Sequence, residues 1–385
     1  IQAYSKSLRF GAFGYLNLTG NTRDGGVLRS AMKSVGPVAA STGATVVSNA
    51  AKEWDPATGI MIDNPDPTDA TASGVTNSGL MNYLNKFGYA AGYKGNDPVS
   101  ELYYAALLYL RGKAPPAAYS NNPTAAEKDG FPVITGNSLL AGGTRDPLIN
   151  SCQRNFILGI GDINTHCDGN LPGSNKGTGC TGTSGTPTDP DGLNVQTLWN
   201  TTRGLEGLGD TAWVGGSSNG TPYMAGLAHW ANTNDIRTDA ADDNSRGKQT
   251  ASTYWVDVLE GVTDVPTASK RKTQYWLAAK YGGFRTDLVT GNDPNTVKAS
   301  WDSENRAIPD TWFAGSTPGA MKSGLSKAFA DIASRAGSTS ASRPAATSNR
   351  QTASSQNFYA TYIPKGWIGS VRACSPTQTA DQCET

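Results

Sequence analysis

Histidine is scarce in this sequence: His166 and His229 are the two present among 385 residues. Neither stands in an H-E-x-x-H run or beside a C-x-x-C pair, so no recognisable zinc motif or nucleophile–base triad is available. An excess of charge is missing too. Lys and Arg total 32 against 32 Asp and Glu, and charged residues are only 17%. That leaves no field to draw the protein to nucleic acid or anionic lipid, and no nucleic-acid partner is expected. No apolar run reaches the roughly 18 residues that a membrane span requires, so no membrane span is expected. With no initiator Met and no signal peptide, both ends read as cut from something longer. The dinucleotide fingerprint fails as well. Gly159-x-Gly161 begins it, but Asn164 holds the third glycine position and the glycines lie inside an apolar run rather than after it.

What the sequence does have is glycine, 45 residues, with 21 prolines and much Ser, Thr and Asn. This composition suits long ordered loops on an extracellular scaffold, and the length allows one large domain or two ordinary ones. Five cysteines are unevenly spread. Cys374 with Cys383, and Cys167 with Cys180, are expected to close small disulfide loops in an oxidising compartment. The odd residue, Cys152, is then a free buried thiol or has its partner outside the chain.

Strands are expected over 8–18, 155–161 and 253–259, with 27–32 closing a hairpin on the first. Helices are expected over 78–87, 98–110, 223–232, 274–281 and 325–336, the second from Leu102, Ala105, Ala106 and Tyr109 at helical spacing. Asp97 before Pro98 has the form of an N-cap followed by proline at the first helical position. Long polar stretches at 113–150 and 165–220 read as loops. Strands alternating with helices imply an α/β sheet covered on both faces.

In such a sheet ligands and metals sit beyond the carboxyl ends of the strands, and Cys-Gln-Arg-Asn-Phe-Ile-Leu-Gly-Ile-Gly-Asp-Ile-Asn (152–164) runs a buried-type strand straight into Asp162. Asp97, opening a helix, is expected at the same rim. Two converging carboxylates suit a hard cation such as Mg²⁺ or Ca²⁺, with hydroxyls and water completing its shell. The plainer alternatives are a helix cap for Asp97 and a turn aspartate for Asp162. His229, beside Trp230 on a helix, reads as a packing residue. The aspartates between 235 and 243 do not follow the calcium-loop pattern and read as a solvated turn.

Several segments resemble the PilY1 family, the large tip-associated proteins of bacterial type IV pili. They are Leu-Arg-Phe-Gly-Ala-Phe-Gly-Tyr-Leu (8–16), Asp-Gly-Gly-Val-Leu-Arg (24–29), Asn-Tyr-Leu-Asn-Lys-Phe-Gly (82–88) and Asn-Asp-Pro-Val-Ser-Glu-Leu-Tyr-Tyr (96–104). The 152–164 run, Met-Ala-Gly-Leu-Ala-His-Trp-Ala-Asn-Thr-Asn-Asp-Ile-Arg (224–237), Leu-Ala-Ala-Lys-Tyr-Gly-Gly-Phe (277–284) and Trp-Ile-Gly-Ser-Val-Arg-Ala (367–373) complete the set. The resemblance implies a von Willebrand factor A-like doubly wound sheet with long loop insertions over 1–340, a linker over 341–356, and the first strands of a C-terminal β-propeller over 357–385. It further implies a non-enzymatic adhesin and assembly factor, exported through the periplasm to the pilus tip and acting in surface attachment and twitching motility. Minor pilins and a host or abiotic surface ligand are the implied partners. A scaffold without a ligand site and a secreted hydrolase are the rivals. In A-type domains a D-x-S-x-S loop, a threonine and an aspartate hold the metal. Asp162 matches the third loop and Asp97 falls where the threonine is expected. No D-x-S-x-S occurs, so Mg²⁺ or Ca²⁺ is implied only at a degenerate metal-ion-dependent adhesion site whose first strand and loop are expected upstream of Ile1.

Overall fold

A computed structural model describes residues 1–385 apart from 18–22, 41–46, 91, 163, 177–186, 210–219, 239–242, 260–272, 338–356, 364–367 and 375–385. The strands are β1 Phe10–Gly14, β2 Val27–Lys33, β3 Asn155–Gly161, β4 Ala251–Asp257, β5 Trp312–Ala314, β6 Asn357–Ile363 and β7 Ile368–Cys374. The helices are α1 Pro67–Ser73, α2 Leu80–Lys86, α3 Val99–Leu110, α4 Ala117–Ser120, α5 Ala125–Lys128, α6 Val195–Glu206, α7 Tyr223–Thr233, α8 Gln274–Gly283 and α9 Pro318–Gly337.

The organising unit is a parallel sheet in the order β3-β4-β5. Asn-Phe-Ile-Leu-Gly-Ile-Gly and Ala-Ser-Thr-Tyr-Trp-Val-Asp are rich in the β-branched and aromatic residues that suit strands covered on both faces. Alternation along β4 sends neighbours to opposite sides. Ala251 and Trp255 enter the main core with α3, α6, α7 and α8, whereas Tyr254 packs with Ala328 and Ile332 of α9. The mixed α/β class therefore matches the sequence reading.

Two features of the strands differ from expectation, and helices α4, α5 and α6 lie in stretches read as loops. First, among the described residues β1 pairs with β2 and not with this sheet, antiparallel and with two register irregularities. The hairpin instead leans on α3, where Phe13 meets Tyr109 at 5.8 Å between rings and the Tyr109 hydroxyl accepts a hydrogen bond from the Met32 amide at 3.1 Å. Second, the sheet's third strand is β5, whose three residues are too few to show a period. Trp312 anchors it by donating from Nε1 to Asp257 Oδ2 at 3.2 Å.

Gly159 owes its place to packing. It lies directly across from Trp255, and a Cβ there would come within 1.8 Å of the indole. The indole stacks on Tyr275 at 4.4 Å, so the glycine of the failed dinucleotide motif makes room for an aromatic pair. Cys152 is free, and exposed rather than buried, because it precedes β3 in a surface turn. Cys167 is disulfide-bonded. Cys180 and Cys383, and the expected linker 341–356, lie outside the described residues. β6 and β7 form an antiparallel hairpin of their own.

Candidate functional site

The carboxyl ends of the parallel strands carry acids in adjacent positions. Gly161 of β3 is in register with Asp257 of β4, which sets Asp162 beside the end of the next strand. Asp257 is buried and committed to structure, accepting from the Leu259 amide at 3.1 Å as well as from Trp312. Asp162 accepts from the Asn164 amide at 2.8 Å, the turn contact that its plainer alternative foresaw.

Asp97 comes to this rim but does not cap α3. The cap position falls on Pro98, with no side-chain cap bond, because the Asp97 carboxylate turns to His166 instead, Oδ1 to Nδ1 at 2.8 Å. The His166 amide reinforces the contact by reaching the Asp97 carbonyl at 3.4 Å. Burial raises the Asp97 carboxyl above the ordinary range; the His166 hydrogen bond opposes this and the neighbouring Asp162 charge adds to it. The two candidate acids are therefore near enough to repel. Below them Gln274 Nε2 donates to Thr165 Oγ1 at 3.1 Å, both buried. Burial, followed by the charges of Asp97 and Asp257, drives the Tyr275 phenol well above its usual value and keeps it neutral.

The carboxylate that caps α3 is Asp168, 67 positions away from the amide it serves: its Oδ1 accepts from the Glu101 amide at 3.1 Å. Thr221, just before α7, donates to Asp168 Oδ2 at 3.0 Å, and Ser100 Oγ accepts from the Met224 amide at 3.1 Å. The N-termini of α3 and α7 thus meet over one buried acid, pushed up to about 7 by desolvation against these hydrogen bonds. Beside it Glu101 accepts from the Gly25 and Asn170 amides at 2.6 and 2.7 Å. Burial also pulls the nearby Lys94 ammonium down to about 8.

His229 is the packing residue expected. It bonds the Asn292 carbonyl at 3.0 Å and lies edge-on to Tyr281. Asp235, at the start of the acidic stretch, accepts from the Arg237 and Gln249 amides at 3.1 and 3.0 Å, as befits a turn. His166, Thr165 and Gln274 were missed as rim residues. The polar run Asp-Ile-Asn-Thr-His directly after an apolar strand was the signal available. Among the described residues no group of three or more His, Cys, Asp or Glu is gathered for a metal ion. Asp97 and Asp162 offer one edge of a hard-cation shell and not a complete cage.

A parallel sheet whose strands deliver acids to one rim, with helices on both faces, defines an α/β protein with its polar face at the strand ends. Residues 18–257 match the family model described as PilY1 homolog, second domain, and the chain belongs to the PilY1 family. It is 36% identical over 339 residues to the type IV pilus biogenesis factor PilY1 homolog of Xylella fastidiosa, a match covering 78% of this chain and 26% of that protein. The chain thus spans about a quarter of the length of that curated relative. No solved structure matches. Among the described residues no helix is long and apolar enough to cross a membrane.

Proposed function

We propose that this chain works at the tip of a type IV pilus as an adhesive, non-enzymatic part of a pilus biogenesis factor, contacting a host or abiotic surface and minor pilins. Family membership and the biogenesis role named for the Xylella relative support a pilus setting at the cell surface. The three parallel strands between helices support a von Willebrand factor A-like body over residues 1–340, and the β6–β7 hairpin supports a propeller entry after it. The observation that carries the adhesive role is the arrival of Asp97, through its bond to His166, at the rim where β3 delivers Asp162. Mg²⁺ or Ca²⁺ bound there supplies a Lewis-acidic point for a ligand carboxylate. Asp97 and Asp162 would hold it, and Thr165 and His166 would brace the loop that follows Asp162 through their bonds to Gln274 and Asp97.

Asp162→Ala is the direct test. Calorimetry with Mg²⁺ and Ca²⁺ is expected to show at least about tenfold weaker binding, and piliated cells carrying the variant should attach poorly while keeping their pili. Unchanged affinity and attachment would remove the adhesive role. The scaffold alternative has its own support, since the Asp97–His166 and Asp162–Asn164 bonds already account for both acids as local fastenings. Deleting residues 1–340 in the full-length protein separates the two: a scaffold loses piliation, an adhesin loses attachment alone.

A further inference from the structure

Lys280, in the last turn of α8, is buried, with its side chain only 4% exposed. The ring faces of Trp301, Tyr281 and Trp276 surround the amine at 4.5, 5.2 and 5.3 Å. Lysine reaches such depth only when it is partnered, and two partners meet it here. Glu206, the last residue of α6, brings Oε2 to 2.6 Å from Nζ, and Asn295 presents Oδ1 at 2.7 Å. Asn295 itself belongs to an exposed turn, whose shape is set by Asp293 accepting from the Asn295 backbone amide at 2.9 Å.

The side-chain amide of Asn295 is engaged at both ends. Nδ2 donates to the Leu205 carbonyl at 2.9 Å and to the Tyr281 hydroxyl at 3.1 Å. A carbonyl can only accept and an ammonium can only donate, so these partners fix which end is nitrogen and which is oxygen. Tyr281 in turn donates to the same Glu206 Oε2, at 2.6 Å. Amine, carboxylate, phenol and amide thus close a ring of hydrogen bonds. Because a carbonyl bond is about 1.2 Å long, a nitrogen held this close to the oxygen stands about 3–4 Å from the carbon, at or near the separation from which an amine attacks.

We infer that Lys280 and Asn295 condense after folding into an intramolecular isopeptide bond, with Glu206 and Tyr281 carrying the protons. From the ion pair, Glu206 takes one proton from the ammonium and leaves a neutral amine. Nζ bonds to Cγ of Asn295, the Cγ–Nδ2 bond breaks, and Nδ2 gains a proton from Tyr281, which is refilled from Glu206. The second proton that Nζ gives up returns to Glu206, and the departing ammonia carries it off as ammonium. Both carriers end as they began, and the step needs no oxidant or second substrate. Burial favours it: desolvation outweighs the Glu206 charge and draws the Lys280 ammonium below its ordinary value, and it holds the Tyr281 phenol neutral, well above its own. The exposed turn gives ammonia an exit. The bond ties α8 to the turn lying over it, independently of the rim acids and of any adhesive role.

The test is tryptic digestion of the denatured full-length protein followed by mass spectrometry. Residues 273–285 and 286–298 are expected as one branched species in nearly all of the protein, uncut after Lys280 and lighter by one ammonia than the two peptides together. Glu206→Gln keeps the shape of the side chain but cannot carry the proton, and it should abolish the branched species, as should Asn295→Ala. Cleavage after Lys280 and an unmodified 286–298 peptide in the wild-type protein would overturn the inference, whether or not the variants fold. Loss of ammonia confined to 286–298 would overturn it too, since that is succinimide formation at an asparagine. A branched species undiminished by Glu206→Gln would overturn the route through Glu206.

Discussion

The half of the molecule built on the parallel sheet and the half built around the β1–β2 hairpin reach order by different means. Around the sheet, apolar packing dominates: Trp199, Leu227, Trp255, Tyr275 and Trp276 belong to one buried core. Around the hairpin, the stretches 34–97 and 111–150 have short helices and turns over smaller apolar clusters, and buried polar side chains take the place of strand ladders. Arg29, wholly buried, donates to the carbonyls of Tyr15, Glu127, Lys128, Phe131 and Pro132. Glu53 accepts from the first amides of α2, Leu80 at 2.9 Å and Met81 at 2.6 Å. Arg145 forks onto Asp69 at 2.7 and 2.5 Å. A backbone without regular partners still needs its polar groups satisfied, and here Arg29 and Glu53 each satisfy several, while the Arg145–Asp69 pair ties two loops together.

The comparison breaks most sharply at Arg29. Arg29→Met keeps an apolar stem but leaves buried carbonyls without donors, each worth roughly 1–3 kcal/mol, so urea denaturation should show a loss of about 4 kcal/mol or more. Proteolysis should then open first near residues 121–134. A loss under about 1 kcal/mol would mean that the loops hold themselves. On the sheet side the matching test is Gly159→Ala. The added methyl meets the Trp255 indole, and overpacking of this kind costs about 2–3 kcal/mol. Adding Trp255→Leu should make the pair cost less than the sum of the two alone, whereas simple additivity would mean the contact is not the cause.

These differences explain what could be read from the residues alone. β3, β4 and the cores of α3, α7 and α8 were legible because each is a run dominated by apolar and aromatic residues, as elements covered on several sides require. Helix α6 was not: its buried residues are Val195, Trp199 and Thr202, in a stretch otherwise polar. Its clearest marks were Asn194, whose side chain accepts from the Thr197 amide, and Gly207 in the left-handed conformation beyond its end. The rim was half legible. Asp162 follows directly from its strand, but Asp97 was read as a local cap when its partner is His166, 69 positions away. Asp168 was invisible as the true cap for the same reason, since nothing local records a contact across 67 positions.

Asp168 also supplies a test that depends on pH. Its carboxyl lies near 7 in the folded protein against an ordinary 3.8, so the native state holds its proton more tightly than the unfolded chain does. Its contribution to stability is full below about 3.8 and is lost as pH rises through about 7. The melting temperature should accordingly fall across that window, and Asp168→Asn, which keeps an acceptor and a similar shape, should flatten the fall. An unchanged pH profile in the variant would show that other groups govern it.

The smallest effect is expected at the rim itself. Asp97 and His166 are bonded at 2.8 Å, but their side chains are 27% and 29% exposed, and water screens a pair so placed. Asp97→Asn retains an acceptor and should cost about 0.5–1 kcal/mol in denaturation, well short of Arg29 or Gly159. That contrast bears on function. A site that exchanges partners must release its own hydrogen bonds cheaply, while a fastening is worth keeping closed. Should Asp97→Asn cost more than about 2 kcal/mol, the rim is part of the framework and the scaffold role gains. A small cost together with weakened Mg²⁺ or Ca²⁺ binding leaves Asp97 as a group whose bond to His166 yields to a ligand.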